Sequence, residues 1–534
     1  MILIRRVAVT RRAGWKSTIT DAVLIAIFLC GLVLPVLDHF FQLDHGPPLV
    51  EKRTPAPLPS LPRDWAALRA FPSAFEHYWN DGFGFRRMLV RAYARTLVAL
   101  RTSPLPDRVV VGSGDWLFYT AEGSLDEYRG ERPFSESEMV RWQYLLEARR
   151  DWLNDRGIPY IFFIAPNKET IYPEHMPRGI QRGAVHRLDQ LLEFLAAHSD
   201  FEIIDPRGSL LSAKQRHDMY RKTDTHWNAR GALLVEESIA ERLARIFPSV
   251  RSIAPEALTA ATGIASGDLV GMIGLGGLLS ESWETITLTR PRAHAVGTPT
   301  NISSWTEVDD PSLPRGVFFH DSFGAVQSPY LAEHFSHLRH AWIREMEPAI
   351  VEAEHVQVVV HEMTERFLWA PVPNDSMLLA DNSHVRASFD ASSIVLFRLS
   401  GGAGAITPET DLSIDSSSDG TMTLEAKGTR SSAKFPIADA SAGTMSVVRV
   451  QIESPAEGHL EIWYQTRSEH EYDQRRSAWW PLHPGSNVAW FVLPDPELAG
   501  RLRLDLSTPG TYRLTGLEVR AVSCRGDMRK TLTP

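Results

Sequence analysis

The apolar positions of residues 71–368 switch period repeatedly along the chain. In SESEMVRWQYLLEARRDWLNDRG, Met139, Trp142, Leu145, Leu146 and Leu153 recur at helical spacing, serines precede them and Gly157 follows; the pattern predicts a helix with a defined start and stop. IPYIFFIAP is then apolar without interruption, as a strand buried on both faces reads. The same reading predicts helices in VHRLDQLLEFLAAHS and NARGALLVEESIAERLARIF, and strands in FEIID, RGVFFHDS and VQVVVHE. Strands alternating with helices of this length predict an α/β domain, a parallel sheet with helices on both faces. Beyond Leu368 the character changes. Residues 369–389 read as a linker, and residues 390–523 carry short β-rich runs such as TMTLEAKG, SVVRVQIES, HLEIWYQT and NVAWFVLP between Gly, Pro, Ser and Asp. That pattern predicts an all-β sandwich or jelly roll, with residues 524–534 as a tail.

The N-terminal pattern has no period at all. Ala22 to Leu37 is uncharged and apolar, and Phe40 and Phe41 extend it toward the ~20 residues a helix needs to cross a bilayer. Arg5, Arg6, Arg11, Arg12 and Lys16 precede it, and Asp38 and Asp44 follow. This predicts a basic cytoplasmic segment over 1–19 and a single-pass transmembrane anchor over 20–41, with the remaining chain outside the cytoplasm, as in the periplasm of a bacterial inner-membrane protein. The bulky residues after the stretch offer no small-residue cleavage site, so the anchor is expected to stay uncleaved. The Pro-rich, polar segment 42–70 suits a semi-rigid spacer off the membrane.

Composition narrows the function classes. A chain of 534 residues exceeds one ordinary core, and 43% hydrophobic with 23% charged residues is globular usage. The net charge of −9 is spread without a basic block, so no nucleic-acid partner is expected. The two cysteines, Cys30 and Cys524, exclude a disulfide framework and thiolate-rich zinc sites.

A parallel sheet presents functional groups at the carboxyl ends of its strands, and two polar segments fall there. RGVFFHDSFG is a strand, a tight turn and a helix start with Ser322 at the turn, where a nucleophile would be exposed beside helix N–H groups. TDTHWNARG puts Asp224 and His226 two positions apart in an extended turn, so that an acid could orient a base. Taken singly, each segment is equally well a helix cap, through Asp321 or Ser322 in one and Asn228 in the other. Together they supply nucleophile, base and orienting acid. No further close histidine or carboxylate completes a metal set, so no metal or cofactor is expected.

The blocks TDTHWNARGA, HDSFG and VVVHEMTERFL, preceded by APNKETIYPEHMP and GDWLFY, resemble the AlgX/AlgJ family of alginate O-acetyltransferases, which have an SGNH-hydrolase-like domain. The resemblance spans roughly residues 70–368 and includes the order of the blocks, with Asp–x–His before the serine. It implies catalytic Ser322, His226 and Asp224. One position departs: the family's block reads Gly-Asp-Ser-Phe, and His320 occupies the glycine position, where a requirement for positive φ would strain a histidine. Lys168, Tyr172, Trp227, Glu362 and Arg366 come from blocks expected to converge on the same sheet edge and are candidates for substrate contact; Trp227 reads equally as core, and Glu362 with Arg366 as a helix-face ion pair.

The expected activity is O-acetyl transfer to hydroxyls of an exported polysaccharide through an acyl-serine. No nucleotide-binding loop is present, so the acyl group must arrive across the membrane, and the resemblance implies a membrane-bound O-acyltransferase partner that supplies it. A carbohydrate esterase with the same triad and a non-catalytic polysaccharide-binding assembly protein are the alternatives. In the sandwich, Trp463, Tyr464, Tyr472, Trp479, Trp480 and Trp490 include aromatics that could stack on sugars or pack against the catalytic domain. Neighbours in a strand face opposite ways, so Trp479 and Trp480 cannot both be core unless both faces are covered.

Overall fold

The computed structural model describes residues 15–46, 54–373, 378, 383–399, 406–417, 420–440 and 444–523. The chain forms two compact units, one of residues 1–118, 222–224 and 264–281, the other of residues 119–221, 225–263 and 282–534.

The first unit opens with helix α1, Trp15–Phe41. Its stretch Ile19–Phe41, with a mean hydropathy of 2.4, is long and apolar enough to cross a membrane and fits a single-pass anchor. Cys30 is exposed on it; Cys524 and the four arginines at positions 5 to 12 lie outside the described residues. Helix α2, Trp65–Asp81, starts inside the expected spacer because the Asp64 carboxylate accepts from Ala67 N–H at 2.7 Å, an N-cap. Helix α3, Arg86–Ala99, follows a turn anchored on α1: Phe85 N–H donates to Asp38 Oδ2 at 2.6 Å, and a Cβ on Gly84 would meet the Pro35 carbonyl at 1.9 Å. Glu281 binds Lys222 and Thr223 N–H at 2.9 and 2.7 Å, and Asp268 N–H donates to Asp224 Oδ2 at 3.0 Å.

In the second unit the expected helix is α4, Glu136–Asn154, opened by a capping box between Ser135 and Glu138. It leads to β1, Tyr160–Ala165, then α5, Arg187–His198, and α6, Ala229–Ile246. Strands β2, His294–Val296, and β3, Ser303–Glu307, precede β4, Arg315–Phe319; helix α7, Ser322–Leu331, and strands β5, His337–Ala341, and β6, Val358–Thr364, complete the set. The sheet order is β1-β6-β4-β5-β3-β2. Four strands are parallel, and β3 and β2 add an antiparallel edge that the apolar pattern does not announce, because its strands are half-exposed. FEIID forms a single bridge, Phe163 to Ile204, instead of the expected strand. Every residue of β6 is buried, because it lies between β1 and β4 and is covered on both faces. Trp142, Leu145, Leu146, Leu188 and Leu191 pack with Phe162 and Ile164, and Trp152, Ile350 and Val351 with Val317, Phe319 and Val359.

The C-terminal strands form two facing antiparallel sheets. One orders Leu412–Ser416, Met422–Ala426, Gly510–Ser523, Thr444–Ser454 and Gly485–Leu493; the other Thr407–Thr410, Ser431–Pro436, Leu498–Leu506, Gly458–Thr466 and Ser477–Leu482. Between them lies a core that includes Phe435, Val448, Val450, Ile462, Phe491 and Leu504. The outer side of the first sheet is not free. Met445, Val447, Trp490 and Val492 share one core with Trp152, Val317, Phe319 and Val359, so this sheet is covered on both faces. Trp479 is 48% exposed whereas Trp480 packs against both cores, as alternation requires.

Candidate active site

The register aligns Phe319, His361 and Phe162 side by side; β4 ends there, while β6 and β1 run on together to Thr364 and Ala165. At that edge Asp321 caps α7. Its Oδ1 accepts from Phe323 N–H at 2.9 Å and from Thr364 Oγ1 at 2.8 Å, and its Oδ2 accepts from Thr364 N–H at 2.9 Å. Glu362, fully buried on β6, accepts from Asp321 N–H at 2.9 Å and Gly324 N–H at 3.2 Å. Burial, with Asp321 beside it, holds the Glu362 carboxyl well above the usual carboxylate range. Five hydrogen bonds from three residues thus set the turn that presents Ser322, the first residue of α7, half-exposed. The N–H groups of Phe323 and Gly324 are engaged by these carboxyls; Ser322 N–H and Oγ have no hydrogen-bond partner among the described residues.

His320 adopts no positive φ, so the strain expected of a histidine at the glycine position does not arise. Room is made elsewhere: a Cβ on Gly324 would meet the His320 Cβ at 2.4 Å, so the close approach falls one turn into the helix. His320 is buried and stacks on Phe318 with ring centres 4.7 Å apart.

His226 reaches the same edge by a narrow hairpin. Asn228 N–H donates to Met219 O at 2.9 Å, Tyr220 bridges Trp227, and Arg221 N–H donates to His226 O at 3.4 Å. Asn228 caps α6 through Arg230 and Gly231 N–H, so this segment is a helix cap as well. The His226 ring centre is 5.0 Å from that of Phe323, the neighbour of Ser322. Asp224 counts with the first unit, where it is buried and accepts from Asp268 N–H.

The remaining candidates divide. Trp227 is fully buried; its indole N–H donates to Phe323 O at 3.2 Å and its ring meets Phe323 edge to face, tying the His226 hairpin to α7. Tyr172 is buried, its hydroxyl accepting from Met219 N–H at 2.8 Å, and burial pushes its pKa up to about 12. Lys168 is buried and donates to Arg221 O at 3.0 Å. Arg366 pairs with Glu122 at 3.0 Å, not with Glu362, and its guanidinium lies 5.7 Å from the Phe323 ring centre. Sequence reading offered Asp321 as a helix cap but overlooked Thr364, its partner in framing the turn. A glycine two residues after the serine, one turn from His320, was the available sign that something packs closely there.

Residues 109–301 match the family model described as SGNH hydrolase-like domain, acetyltransferase AlgX. The match includes the Asp224–His226 block and ends before Ser322. Two curated relatives are named probable alginate O-acetylase AlgJ. That of Pseudomonas aeruginosa is 29% identical over 270 residues, 48% of this chain and 62% of the relative. That of Pseudomonas syringae pv. tomato is 29% identical over 177 residues, 33% of this chain and 43% of the relative. The chain therefore spans about two-fifths to three-fifths of the curated relatives it matches. The solved O-acetyltransferase domain of Pseudomonas putida AlgJ aligns at 20% identity with a TM-score of 0.36, covering 51% of this chain and 98% of that one. Over residues 109–301 the chain is thus similar to the SGNH-hydrolase-like domain of the AlgX/AlgJ family.

Proposed function

We propose that the protein is an O-acetyltransferase acting on the hydroxyls of an exported polysaccharide, through an acyl-Ser322 intermediate with His226 as base and Asp224 as its orienting acid. The observation that carries this reading is the convergence at one sheet edge of a half-exposed serine at a helix start and a histidine held beside its neighbour Phe323. The printed names of the relatives support acetyl as the group and an alginate-like polymer as the acceptor.

In the first step His226 takes the Ser322 Oγ proton as Oγ bonds to the acyl carbonyl carbon. Negative charge builds on the carbonyl oxygen, where Ser322 N–H and the positive end of α7 face it. The donor's leaving group departs with the proton held by His226. A sugar hydroxyl then attacks the acyl carbon, His226 takes its proton and passes it to Ser322 Oγ as the Oγ–acyl bond breaks, and the sugar ester leaves with Ser322 and His226 restored. The Ser322–His226 hydrogen bond is closed in the substrate complex, as catalytic bonds often are. Asp224, one residue removed from His226, is assigned to hold the imidazole in the required tautomer. The anchor holds this site outside the cytoplasm, close to a membrane-bound O-acyltransferase that supplies the acyl group.

Ser322→Ala, His226→Ala and Asp224→Ala should each lower turnover of a chromogenic acetyl ester by a factor on the order of 10³, with melting nearly unchanged, and the triple variant should be little worse than any single one. Retained turnover in Ser322→Ala sinks the assignment. With an oligosaccharide present, mass spectrometry should find acetylated sugar. Deacetylation of acetylated polymer, with no acetylated product, is instead the outcome of an esterase, in which water takes the place of the sugar.

A further inference from the structure

Behind Ser322 lies a cavity of about 770 Å³, within the usual range of ligand sites. Ala325, Val326 and Pro329 of α7 line it, and they share a helix face with Ser322 through the spacings i+3, i+4 and i+7. The cavity thus begins one turn from the nucleophile. Its other walls include His320, His340 and Trp342.

One acceptor and one flat apolar surface are built into it. His320 Nδ1 lies 2.7 Å from the Asp321 carbonyl, which can only accept, so Nδ1 carries the proton and Nε2 keeps its lone pair. Nε2 has no hydrogen-bond partner among the described residues. Burial lowers the proton affinity of His320 and, with His320 nearby, takes His340 down to about 4, so both rings are neutral. Trp342 is 51% exposed at the rim, 5.6 Å from His320 between ring centres.

We infer that this cavity is the acceptor subsite, seating a pyranose ring of the polysaccharide on Trp342 with a hydroxyl donating to His320 Nε2. A sugar ring combines hydroxyl donors with an apolar face, whereas an acyl chain would leave that acceptor unmatched. The role as acceptor rests on the reading of Ser322 given above; the binding of sugar does not.

Binding is therefore measured apart from chemistry, by calorimetry on the full-length Ser322→Ala protein with alginate oligosaccharides and with cello-oligosaccharides. At least one series should bind. Adding Trp342→Ala should weaken it about tenfold, the scale of losing an aromatic contact, and Val326→Phe, which fills the cavity, should weaken it further. Trp479→Ala on the sandwich should leave it unchanged. Because Trp342 is half-exposed, its variant keeps the test decisive if Val326→Phe folds poorly. The inference is overturned if neither series binds, if affinity ignores both substitutions, or if a fatty acid displaces the sugar. Those results leave the ester turnover of the wild type, and its loss in Ser322→Ala, to judge the triad separately.

Discussion

At the residue scale, the least expected groups are carboxyls that the fold keeps away from water. Glu169 is buried in the block APNKETIYPEHMP, bonded by Ser124 Oγ, and burial raises its pKa to about 7. Glu127 is raised to about 7 for the same reason, while the Arg187 N–H bonded to it opposes the shift. A carboxyl whose folded pKa lies above its unfolded value stabilises the fold fully below the unfolded pKa, and that contribution is lost as pH rises through the folded one. For Glu169 the window runs from its ordinary 4.5 to about 7. Buried His320 and His340 act in the opposite sense, losing stability as pH falls toward their lowered values. The effect of Glu169 is therefore read as a difference. Between about pH 5 and about pH 8 the wild type should lose more melting temperature than Glu169→Gln, which cannot ionise. Parallel curves would remove Glu169 from this role.

At the scale of elements, the site is a junction of β4, β6 and α7, and Glu362 is the link between the strand and the helix. Both backbone donors on its Oε2 belong to the Ser322 turn. Glutamine keeps a carbonyl oxygen for them and matches the protonated acid in shape, so Glu362→Gln should melt near the wild type. Glu362→Ala leaves two buried N–H groups unbonded and should cost about 2–4 kcal/mol, measured by denaturant unfolding. Equal losses in both variants would mean that the charged carboxylate holds the turn. The second link is Trp227, whose indole ties the His226 hairpin to Phe323. Its burial shows why a tryptophan beside a histidine reads ambiguously in sequence: the two alternate, one into the core and one to the edge.

At the scale of the whole molecule, the β-sandwich is part of the core of the second unit and not an appended module. One of its sheets covers the face of the α/β sheet that carries Val317, Phe319 and Val359, and Arg141 on α4 donates to Tyr464 in the sandwich at 2.9 Å. A chain ending at residue 389 would expose those residues, and it should aggregate or bind a hydrophobic dye; a soluble truncation with wild-type ester turnover would show that the two parts stand alone. At the other end, α1 fits an anchor by length and hydropathy. The arginines before it argue for a cytoplasmic N-terminus. An alkaline phosphatase fused to the C-terminus should then be active in intact cells, and an inactive fusion reverses the orientation.

What the sequence determined by itself follows from local periodicity. The apolar anchor, helices α4, α5 and α6, strands β1, β4 and β6, and most sandwich strands were legible because each carries its own pattern of burial or its own cap, as Ser135 and Asn228 do. The turn that presents Ser322 was legible because it follows an apolar strand and is marked by short polar residues. What only the tertiary structure decided depends on partners distant in the chain. β2 and β3 are half-exposed strands whose pairing, β2 with β3 and β3 with β5, no local pattern announces. FEIID has strand composition but lies where β1 offers it a single bridge. Glu362 and Arg366, four apart, suggested an ion pair; β6 ends at Thr364 between them, turning one carboxyl onto the Ser322 turn and sending the guanidinium to Glu122. His320 was a puzzle in sequence because its tolerance is set by Gly324, across a turn of helix, and by the cavity both help to shape. Period and capping act over a few residues, whereas burial, pairing and proton affinity are set by whatever the fold brings alongside.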